Sequence, residues 1–304
     1  MNILILGSEG FIGAHLVDSF LKQGANVNGC DLYESSFGNY HYIKVSRLSP
    51  EWDEIFSSNS YDVCINAAGS GNVSYSMTHP LSDFESNTLD VIRVLNALRR
   101  YNRTCKYLHI SSAAVYGNPR QLPVKETDNC QPLSPYGWHK WMSEMVCKEY
   151  HHLYAISCCI IRPFSVYGPG LRKQLFWDLY QKAMSASEVK LFGTGNESRD
   201  FIYIDDLMQV IDIILRKAPM QAEWYNVATG TETLIRQAAS LFLQHFPTPP
   251  KLIFNGQAKP GDPLNWKADI SNITALGFQQ QISLEKGLEL TFQWINNQVT
   301  HHDR

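Results

Sequence analysis

The chain has 304 residues, of which 44% are hydrophobic and 18% charged, which is the composition of an ordinary globular protein rather than a disordered one. Its 26 basic and 29 acidic side chains give a net charge of −3, which does not favour a nucleic acid or a membrane surface as partner. No apolar run approaches the ~20 residues of a membrane span, and the apolar N-terminus resembles a first core strand rather than a signal peptide. Seven cysteines without a CxxC pair indicate free thiols, no metal site and a cytoplasmic location.

Strand-like and helix-like runs alternate through the first half of the chain. The apolar run at 2–6 ends at Gly7, and an amphipathic stretch follows it as far as Gly24. Apolar strands separated by helices are typical of a parallel sheet that is covered on both faces. The sequence therefore predicts an α/β fold with a doubly wound parallel sheet. Further strands are predicted at 25–30, 61–66, 106–111 and 155–162, and helices at 83–101 and 135–153.

Glycine, proline and other loop signals become denser after about residue 166, between helical runs at 176–185, 205–217 and 284–297. We interpret this part as a smaller second α/β domain at the C-terminus that shares some strands with the first. The predicted division gives residues 1–165 and about 200–228 to the sheet domain. It gives about 166–199 and 229–304 to the smaller, substrate-binding domain.

Gly7, Gly10 and Gly13 are spaced GxxGxxG between the first strand and the first helix. Glycines at these positions allow a tight turn and close approach of a pyrophosphate, and the helix N-terminus attracts the phosphates. Asp31, at the end of the second strand, can accept both ribose hydroxyls of an adenosine and would repel a 2′-phosphate. The combination predicts a dinucleotide site that takes NAD in preference to NADP.

Small residues close the third predicted strand, where Asn66 is followed by Ala67, Ala68 and Gly69. The ends of the strands in a doubly wound sheet face the cofactor crevice, so small side chains there leave room for a dinucleotide. An ordinary strand-to-loop transition would explain the same residues.

Tyr136 and Lys140 are four residues apart on a predicted helix, so that the phenol and the ammonium share one face. A nearby cation stabilises a phenolate, and we expect Lys140 to lower the pKa of Tyr136 so that Tyr136 can take a proton from a sugar hydroxyl. Ser111 and Ser112 end the fourth strand, and a hydroxyl there would project into the same crevice and hold the reacting oxygen.

A second tyrosine and lysine, Tyr40 and Lys44, have the same spacing. About one chance match is expected in a chain of this composition. This pair follows the second strand, lacks a serine upstream, and is expected to lie away from any strand end that faces the substrate. We therefore do not expect it to be catalytic.

Seven short motifs occur in a fixed order: GSEGFIG, NAAG, SSAAVYG, SPYGWHK, RPFSVYGPG, RDFIYIDD and KPGDP. In this order they resemble the extended short-chain dehydrogenase/reductase family, and in particular its nucleotide-sugar epimerases, dehydratases and reductases. The resemblance extends from residue 2 to about residue 277. It implies a Rossmann domain that binds NAD and a small C-terminal domain that closes over a nucleotide-diphosphate sugar.

The resemblance also implies roles for individual residues. Tyr136 would be the acid/base, Lys140 would bind the nicotinamide ribose, and Ser112 would orient the sugar hydroxyl. The implied cofactor residues are Gly7, Gly10, Phe11, Ile12, Gly13, Asp31, Ala67, Ala68, Gly69, Asn87, Ser111, Tyr136, Lys140 and Pro163. The implied substrate residues are Ser112, Ser165, Arg199, Lys259, Asp262 and Trp266.

Departures from the family's motifs bear on the reaction. Ala113 and Ala114 stand where the 4,6-dehydratases carry Asp and Glu, so elimination of water is not expected. Arg199 and Lys259 match positions that bind the diphosphate, with an ordinary surface ion pair as the alternative for Arg199. Trp266 matches a position near the C2 substituent of the sugar, where its bulk would crowd an acetamido group, and a place in the core explains it almost as well.

We expect a 4-epimerase-like enzyme that oxidises a sugar at C4, lets the keto sugar rotate and reduces it on the other face, so that NAD is regenerated in each cycle. A 4-keto-sugar reductase would use the same three residues once and consume reduced cofactor; it is the alternative. A non-catalytic nucleotide-binding scaffold is a third hypothesis, against which the intact Ser112, Tyr136 and Lys140 argue.

The resemblance further implies a homodimer, because two helices of each subunit pair into a four-helix interface in this family. The matching helices span roughly 83–101 and 136–153. We expect their apolar residues Val91, Val94, Trp141 and Met145 to contribute to the interface, with packing on their own sheet as the alternative.

Overall fold

The computed structural model describes residues 1–35, 38–46, 51–257 and 261–302, except for the side chains of 300–302. Lys259, one of the predicted substrate residues, lies outside the described residues. The strands are β1 (Asn2–Leu6), β2 (Asn26–Asp31), β3 (His41–Lys44), β4 (Val63–Asn66), β5 (Lys106–Ile110), β6 (Cys158–Pro163), β7 (Ser165–Tyr167), β8 (Glu188–Leu191), β9 (Ser198–Tyr203), β10 (Gln221–Val227), β11 (Glu232–Leu234) and β12 (Lys251–Phe254). The helices are α1 (Phe11–Lys22), α2 (Trp52–Ser58), α3 (Val73–Thr78), α4 (Pro80–Phe84), α5 (Asp90–Tyr101), α6 (Pro135–Tyr154), α7 (Gln174–Ser185), α8 (Ile204–Lys217), α9 (Ile235–Leu243), α10 (Ser271–Ala275) and α11 (Leu284–His302).

The main sheet contains, within the described ranges, seven parallel strands in the order β3-β2-β1-β4-β5-β6-β10. Strands β4 and β6 are buried along their whole length, as expected for a parallel sheet that is covered on both faces. The strand order reverses between β1 and β4, and the crevice beyond their carboxyl ends is the usual ligand site of such sheets. The predicted doubly wound sheet is confirmed.

The two faces of the main sheet are covered by different helices. In β1, Ile3 and Ile5 join the hydrophobic cluster that includes α1 and α8, whereas Leu4 and Leu6 join the cluster that includes α2, α5 and α6. This alternation follows from the two-residue period of a strand. None of the helices in the described part of the chain is long and apolar enough to cross a membrane.

The second half of the chain adds smaller sheets. Of the strands that are described, β7, β9 and β11 form one of these sheets and β8 pairs with β12, whereas β10 returns to the edge of the main sheet. Helices α7, α9 and α11 pack beside them around an aromatic cluster, in which the Tyr167 ring lies 5.4 Å from that of Phe176 and 6.0 Å from that of Phe201. The division of the chain into two domains at the stated residues stays a prediction.

The helix that is predicted at 83–101 is interrupted in the structure. Helix α4 ends at Phe84, a π-helical turn covers Glu85–Leu89, and α5 begins at Asp90. A π-turn inserts one residue into the helical repeat and is common at functional sites. Here it buries Asn87 and Thr88 against α6 and the loop after β4.

Candidate active site

The glycine-rich loop joins β1 to α1 at the point where the strand order reverses. Gly7 has a left-handed backbone with φ of +78°, and a Cβ there would lie 2.8 Å from the Cα of Ala68. A Cβ at Gly13 would lie only 1.9 Å from the carbonyl oxygen of Gly7. Side chains at these two positions would push α1 and the loop after β4 away from β1. At these two glycines the loop packs so closely against the neighbouring backbone that no side chain fits.

Helix α1 points its N-terminus at this loop. It begins after Gly10 with no side-chain cap and no acidic residue in its first turn. The N–H groups of Phe11, Ile12 and Gly13 therefore face outward from a helix end that carries partial positive charge. Such an end is suited to the phosphates of a dinucleotide.

Asp31 ends β2 beside the glycine loop. Its Oδ2 accepts the N–H of Glu9 at 2.9 Å, and its Oδ1 accepts the N–H of Leu32 at 2.6 Å. A carboxylate has about four acceptor positions, so these two bonds leave capacity for the hydroxyls of a ribose.

The small residues Ala67, Ala68 and Gly69 follow β4 at the same edge. Gly69 has φ of +112°, and a Cβ there would lie 2.4 Å from Oδ1 of Asn87. The amide of Asn87 donates to Oδ1 of Asp83 at 3.1 Å, but its own Oδ1 is buried without a hydrogen-bond partner among the described residues. A buried acceptor of this kind fits a donor group on a bound cofactor.

The three predicted catalytic residues come together at the carboxyl end of β5. Ser112 begins the turn after β5, and its hydroxyl lies close enough to the phenol of Tyr136 to influence its pKa. Lys140, one turn further along α6, donates its ammonium to the carbonyl of Ile110 at 2.9 Å. An ammonium has three donors, and this is its one hydrogen bond in the described structure. The remaining donors suit the hydroxyls of a nicotinamide ribose.

The pKa values of this group reflect its burial. Burial raises the pKa of Tyr136, the nearby hydroxyl of Ser112 opposes that rise, and the carboxylate of Asp83 adds to it. Burial also lowers the pKa of Lys140 to about 8, against the attraction of Asp83 and Glu144. The pKa of Tyr136 is therefore raised in this structure, because desolvation disfavours the phenolate. That Lys140 lowers it stays a prediction.

Asp83 and His139 form a buried pair beside this group, which no sequence motif marks. Oδ2 of Asp83, which is fully buried, lies 2.6 Å from Nδ1 of His139, the residue before Lys140. The hydroxyl of Thr88 donates to the carbonyl of His139 at 2.9 Å. The two contacts attach the π-helical turn to α6. They join residues about 50 positions apart, so no local pattern could have found them.

Ser111 is turned away from the crevice. Its hydroxyl donates to Oε1 of Glu144 at 2.5 Å and its N–H donates to the carbonyl of Ile161. Glu144 in turn forms a buried ion pair with Arg162 at 2.6 Å. The side chain of Ser111 thus supports the ends of β5 and β6. Pro163, the last residue of β6, is buried beside this pair.

Arg199 lies on β9 in the second half of the chain, close to two other predicted substrate residues. Its Nη2 is 4.0 Å from Oδ2 of Asp262, and its guanidinium carbon is 5.5 Å from the centre of the Trp266 ring. The carboxylates of Glu197 and Asp200, weighed as surface partners of Arg199, instead accept hydrogen bonds from backbone N–H groups.

Trp266 is packed in the core next to Arg199; a place near the C2 substituent of the sugar stays a prediction. Trp266 is buried against Phe164, with 5.5 Å between the ring centres, and its indole N–H donates to the carbonyl of Gly117 at 3.1 Å. The ring thereby connects the SSAAVYG turn to Arg199. Ser165, on β7, is partly exposed next to Phe164.

The chain is similar to known proteins along nearly its whole length. A UDP-glucose 4-epimerase of Mycolicibacterium smegmatis is 27% identical over 98% of this chain and 99% of its own length. The structure of a UDP-glucuronic acid 4-epimerase from Bacillus cereus, in complex with UDP-glucuronic acid and NAD, is 27% identical and matches with a TM-score of 0.90 over 98% of this chain and all of that one. A UDP-glucose 4-epimerase from Thermotoga maritima with UDP-glucose is 26% identical and matches with a TM-score of 0.91 over the same shares of the two chains.

The family model described as "NAD dependent epimerase/dehydratase family" matches residues 3–228, well over half of the chain. This range contains the glycine loop, Asp31 and the group formed by Ser112, Tyr136 and Lys140. The predicted family and the predicted NAD cofactor are confirmed. The chain belongs to the NAD-dependent epimerase/dehydratase family.

Proposed function

We propose that this protein is an NAD-dependent nucleotide-sugar 4-epimerase, which inverts C4 of a sugar through a transient 4-keto sugar. The observation that carries the proposal is the meeting of Ser112, Tyr136 and Lys140 at the carboxyl edge of the sheet. The dinucleotide loop opens at the same edge. The names of the relatives, which include UDP-glucose and UDP-glucuronic acid 4-epimerases, support the same reaction.

The three residues divide the proton chemistry. NAD, when bound, accepts a hydride from the sugar and returns it. Tyr136 takes the proton of the C4 hydroxyl as C4 loses its hydride, and gives the proton back when the hydride returns to the opposite face. Ser112 holds the reacting oxygen by a hydrogen bond. Lys140 keeps a positive charge near the phenolate and binds the ribose. No proton or hydride is gained or lost over the cycle.

Arg199 would bind the diphosphate of the substrate. Its planar guanidinium is suited to phosphate oxygens, and the ring of Trp266 beneath it holds the plane in place. Asp262 lies close enough to orient it. We take UDP-sugars as the first substrates to test, because the relatives are named for them.

A dehydratase would need an additional acid and base. Ala113 is buried and Ala114 lies beside it in the turn after β5, and neither can transfer a proton. The site therefore supports oxidation and return of the hydride without elimination of water.

The proposal is tested by incubating the purified protein and NAD with UDP-glucose, UDP-galactose or UDP-glucuronic acid and following the sugar protons by NMR. We expect C4 epimers to form with no net change in absorbance of the reduced cofactor. Tyr136→Phe should lower the rate by about 10²–10⁴-fold without changing the folded state. Net consumption of reduced cofactor with a 4-keto sugar, and no epimer, would instead identify a reductase.

We also infer a homodimer that forms through α6. Trp138, Met142 and Met145 are 40–44% exposed on one face of this helix, and single exposed apolar residues rarely line up in this way on a monomer. Val91 and Val94, expected at the interface, are instead buried in the core of their own sheet, so that part of the expectation is wrong. Sedimentation of the protein with Met142→Lys should give a monomer if the inference holds.

The seven free thiols support a cytoplasmic location.

A further inference from the structure

Tyr40, the tyrosine of the second YxxxK pair, lies against the glycine loop. It lies at the end of β2, on the side of the glycine loop; that it is not catalytic stays a prediction. A Cβ on Gly29 of β2 would lie 2.4 Å from the Tyr40 ring and 2.6 Å from Oγ of Ser8, so only a glycine in β2 lets this ring reach the loop. The phenol of Tyr40 donates to Oε1 of Glu9 at 2.7 Å and is 3.2 Å from Oγ of Ser8.

Glu9 places a second carboxylate beside Asp31. The N–H of Glu9 donates to Oδ2 of Asp31 at 2.9 Å, and Ser35 donates its hydroxyl to Oε1 of Glu9 at 3.2 Å. Burial and then the carboxylates of Asp31 and Glu9 raise the pKa of Tyr42, which packs on the same strand end. The carboxylates of Asp31 and Glu9 therefore both act at the carboxyl end of β2, and each acts more strongly than that of Glu34.

A carboxylate in a phosphate-binding loop is unfavourable unless it is held away from the phosphates. Glu9 lies between Gly7 and Gly10, one residue before the helix end that suits the pyrophosphate. A carboxylate that turned toward that end would compete with the phosphates for the same N–H groups. Tyr40 and Ser35 prevent this, because their hydrogen bonds hold the carboxylate on the side of β2. Burial raises the pKa of Tyr40 to about 12, so the phenol remains a donor.

The end of β2 is where this type of fold binds the adenosine ribose. A ribose diol is compatible with two neighbouring carboxylates, whereas a 2′-phosphate brings about two further negative charges against both. The repulsion acts through the charge of Glu9 and needs no open acceptor on it.

We propose that Glu9, held by Tyr40, is a second cofactor-selecting residue, which excludes a 2′-phosphorylated dinucleotide together with Asp31. This inference rests on the proposed function. It also gives a role to Tyr40, the tyrosine of the second YxxxK pair. Tyr40 keeps the carboxylate of Glu9 from blocking the glycine loop.

The test is calorimetric titration of the purified protein with NAD and with NADP, which requires no turnover. Glu9→Gln removes the charge and keeps an acceptor for Tyr40. We expect it to tighten NADP by about tenfold while the Kd for NAD changes less than about twofold. Glu34→Gln is the matched control, because Glu34 is an exposed carboxylate near the same strand end that pairs with Lys44. It should leave both affinities unchanged.

Tyr40→Phe tests the second half of the proposal. Without the phenol, the carboxylate of Glu9 loses its 2.7 Å hydrogen bond and is held less firmly on the side of β2, so NAD itself should bind several-fold more weakly. Adding Glu9→Gln to Tyr40→Phe should restore NAD binding, which a general loss of loop packing would not allow.

The outcomes separate this inference from the proposed function. If the unaltered protein binds no NAD, the proposed function fails. If it binds NAD, but Glu9→Gln leaves the ratio of NAD to NADP affinities as it was, or Glu34→Gln changes it equally, the role of Glu9 is overturned.

Discussion

Two buried charged clusters lie one turn apart on α6, and they differ in how completely their charges are paired. Glu144 forms two hydrogen bonds to Arg162, at 2.6 and 2.9 Å, and further bonds from Ser111 and Trp224. Lys140, four residues earlier, has one hydrogen bond, to a backbone carbonyl. We call the first cluster saturated, because its charged groups are paired by several hydrogen bonds. We call the second unsaturated, because the ammonium of Lys140 uses one of its three donors in the described structure.

The ionisation of the two clusters follows from this difference. Although burial acts in the opposite direction, the carboxylate of Glu144 raises the pKa of Arg162, so that this cation is fixed in its charged form. Burial lowers the pKa of Lys140 to about 8, close to neutrality. A saturated cluster holds strand ends together, whereas an unsaturated one keeps groups that can bind a ligand or exchange a proton.

The largest effect should come from breaking the saturated cluster. Arg162→Met would leave the carboxylate of Glu144 buried without its cation, and we expect a loss of about 3–5 kcal/mol of unfolding free energy. Arg216→Met, which removes an arginine from an exposed pair with Asp212, should cost less than about 1 kcal/mol. Urea denaturation measures both.

A further variant shows whether the cost of Arg162→Met arises from the orphaned charge. Adding Glu144→Met removes the carboxylate as well and should recover part of the loss. If Glu144→Met instead lowered the unfolding free energy further, the loss would come from packing. The charge of Glu144 would then not explain the cost of Arg162→Met.

Lys140→Met should alter the pH dependence of stability. The pKa of Lys140 is about 8 in the folded chain against an ordinary 10.5, so the unfolded chain binds more protons between these values. The penalty for burying the ammonium is full below about pH 8 and is relieved as the pH rises. Relative to Lys140→Met, the unaltered protein should gain about 2 kcal/mol of unfolding free energy between about pH 7 and about pH 9.5.

Paired denaturation curves at the two pH values provide this measurement. Lys182→Met is the control, since Lys182 is an exposed lysine whose ion pair with Asp178 lies on the surface of α7. Parallel pH profiles for the unaltered protein and Lys140→Met would mean that the ammonium is hydrated, and the contrast between the two clusters would then be lost.

The sequence revealed the parts of the site that depend on local spacing. Gly7, Gly10 and Gly13 were predicted from their place between a strand and a helix. Tyr136 and Lys140 were predicted from their spacing on one face of α6. Such features require only the geometry of a single element. The main sheet was likewise predicted from alternating apolar runs. The two edge strands, β3 and β10, were not predicted; the four residues of β3 are exposed or half-buried and carry no strong pattern.

Features that depend on long-range contacts could not be predicted from the sequence. Asp83 meets His139 only because the π-helical turn brings α4 against α6, and nothing in the helical period marks the added residue. The rise in the pKa of Tyr136 was likewise not predicted, since the spacing of a lysine shows that a cation is near but not how little water surrounds the phenol.

The smallest expected effect concerns Asp83, the carboxylate nearest to the unsaturated cluster. Its charge raises the pKa of Tyr136 and that of Lys140, in both cases as a lesser influence than burial. Asp83→Asn keeps an acceptor for Asn87 and removes the charge, so Tyr136 should titrate at lower pH. The absorbance of tyrosinate, as the difference between each protein and its Tyr136→Phe counterpart, reports this titration. Asp178→Asn, the same substitution on the surface, should leave it in place. Were Tyr136 to titrate at the same pH in Asp83→Asn, the pair with His139 would serve only to join the π-helical turn to α6, and the charges that act on Tyr136 would have to be those of the ligands it binds.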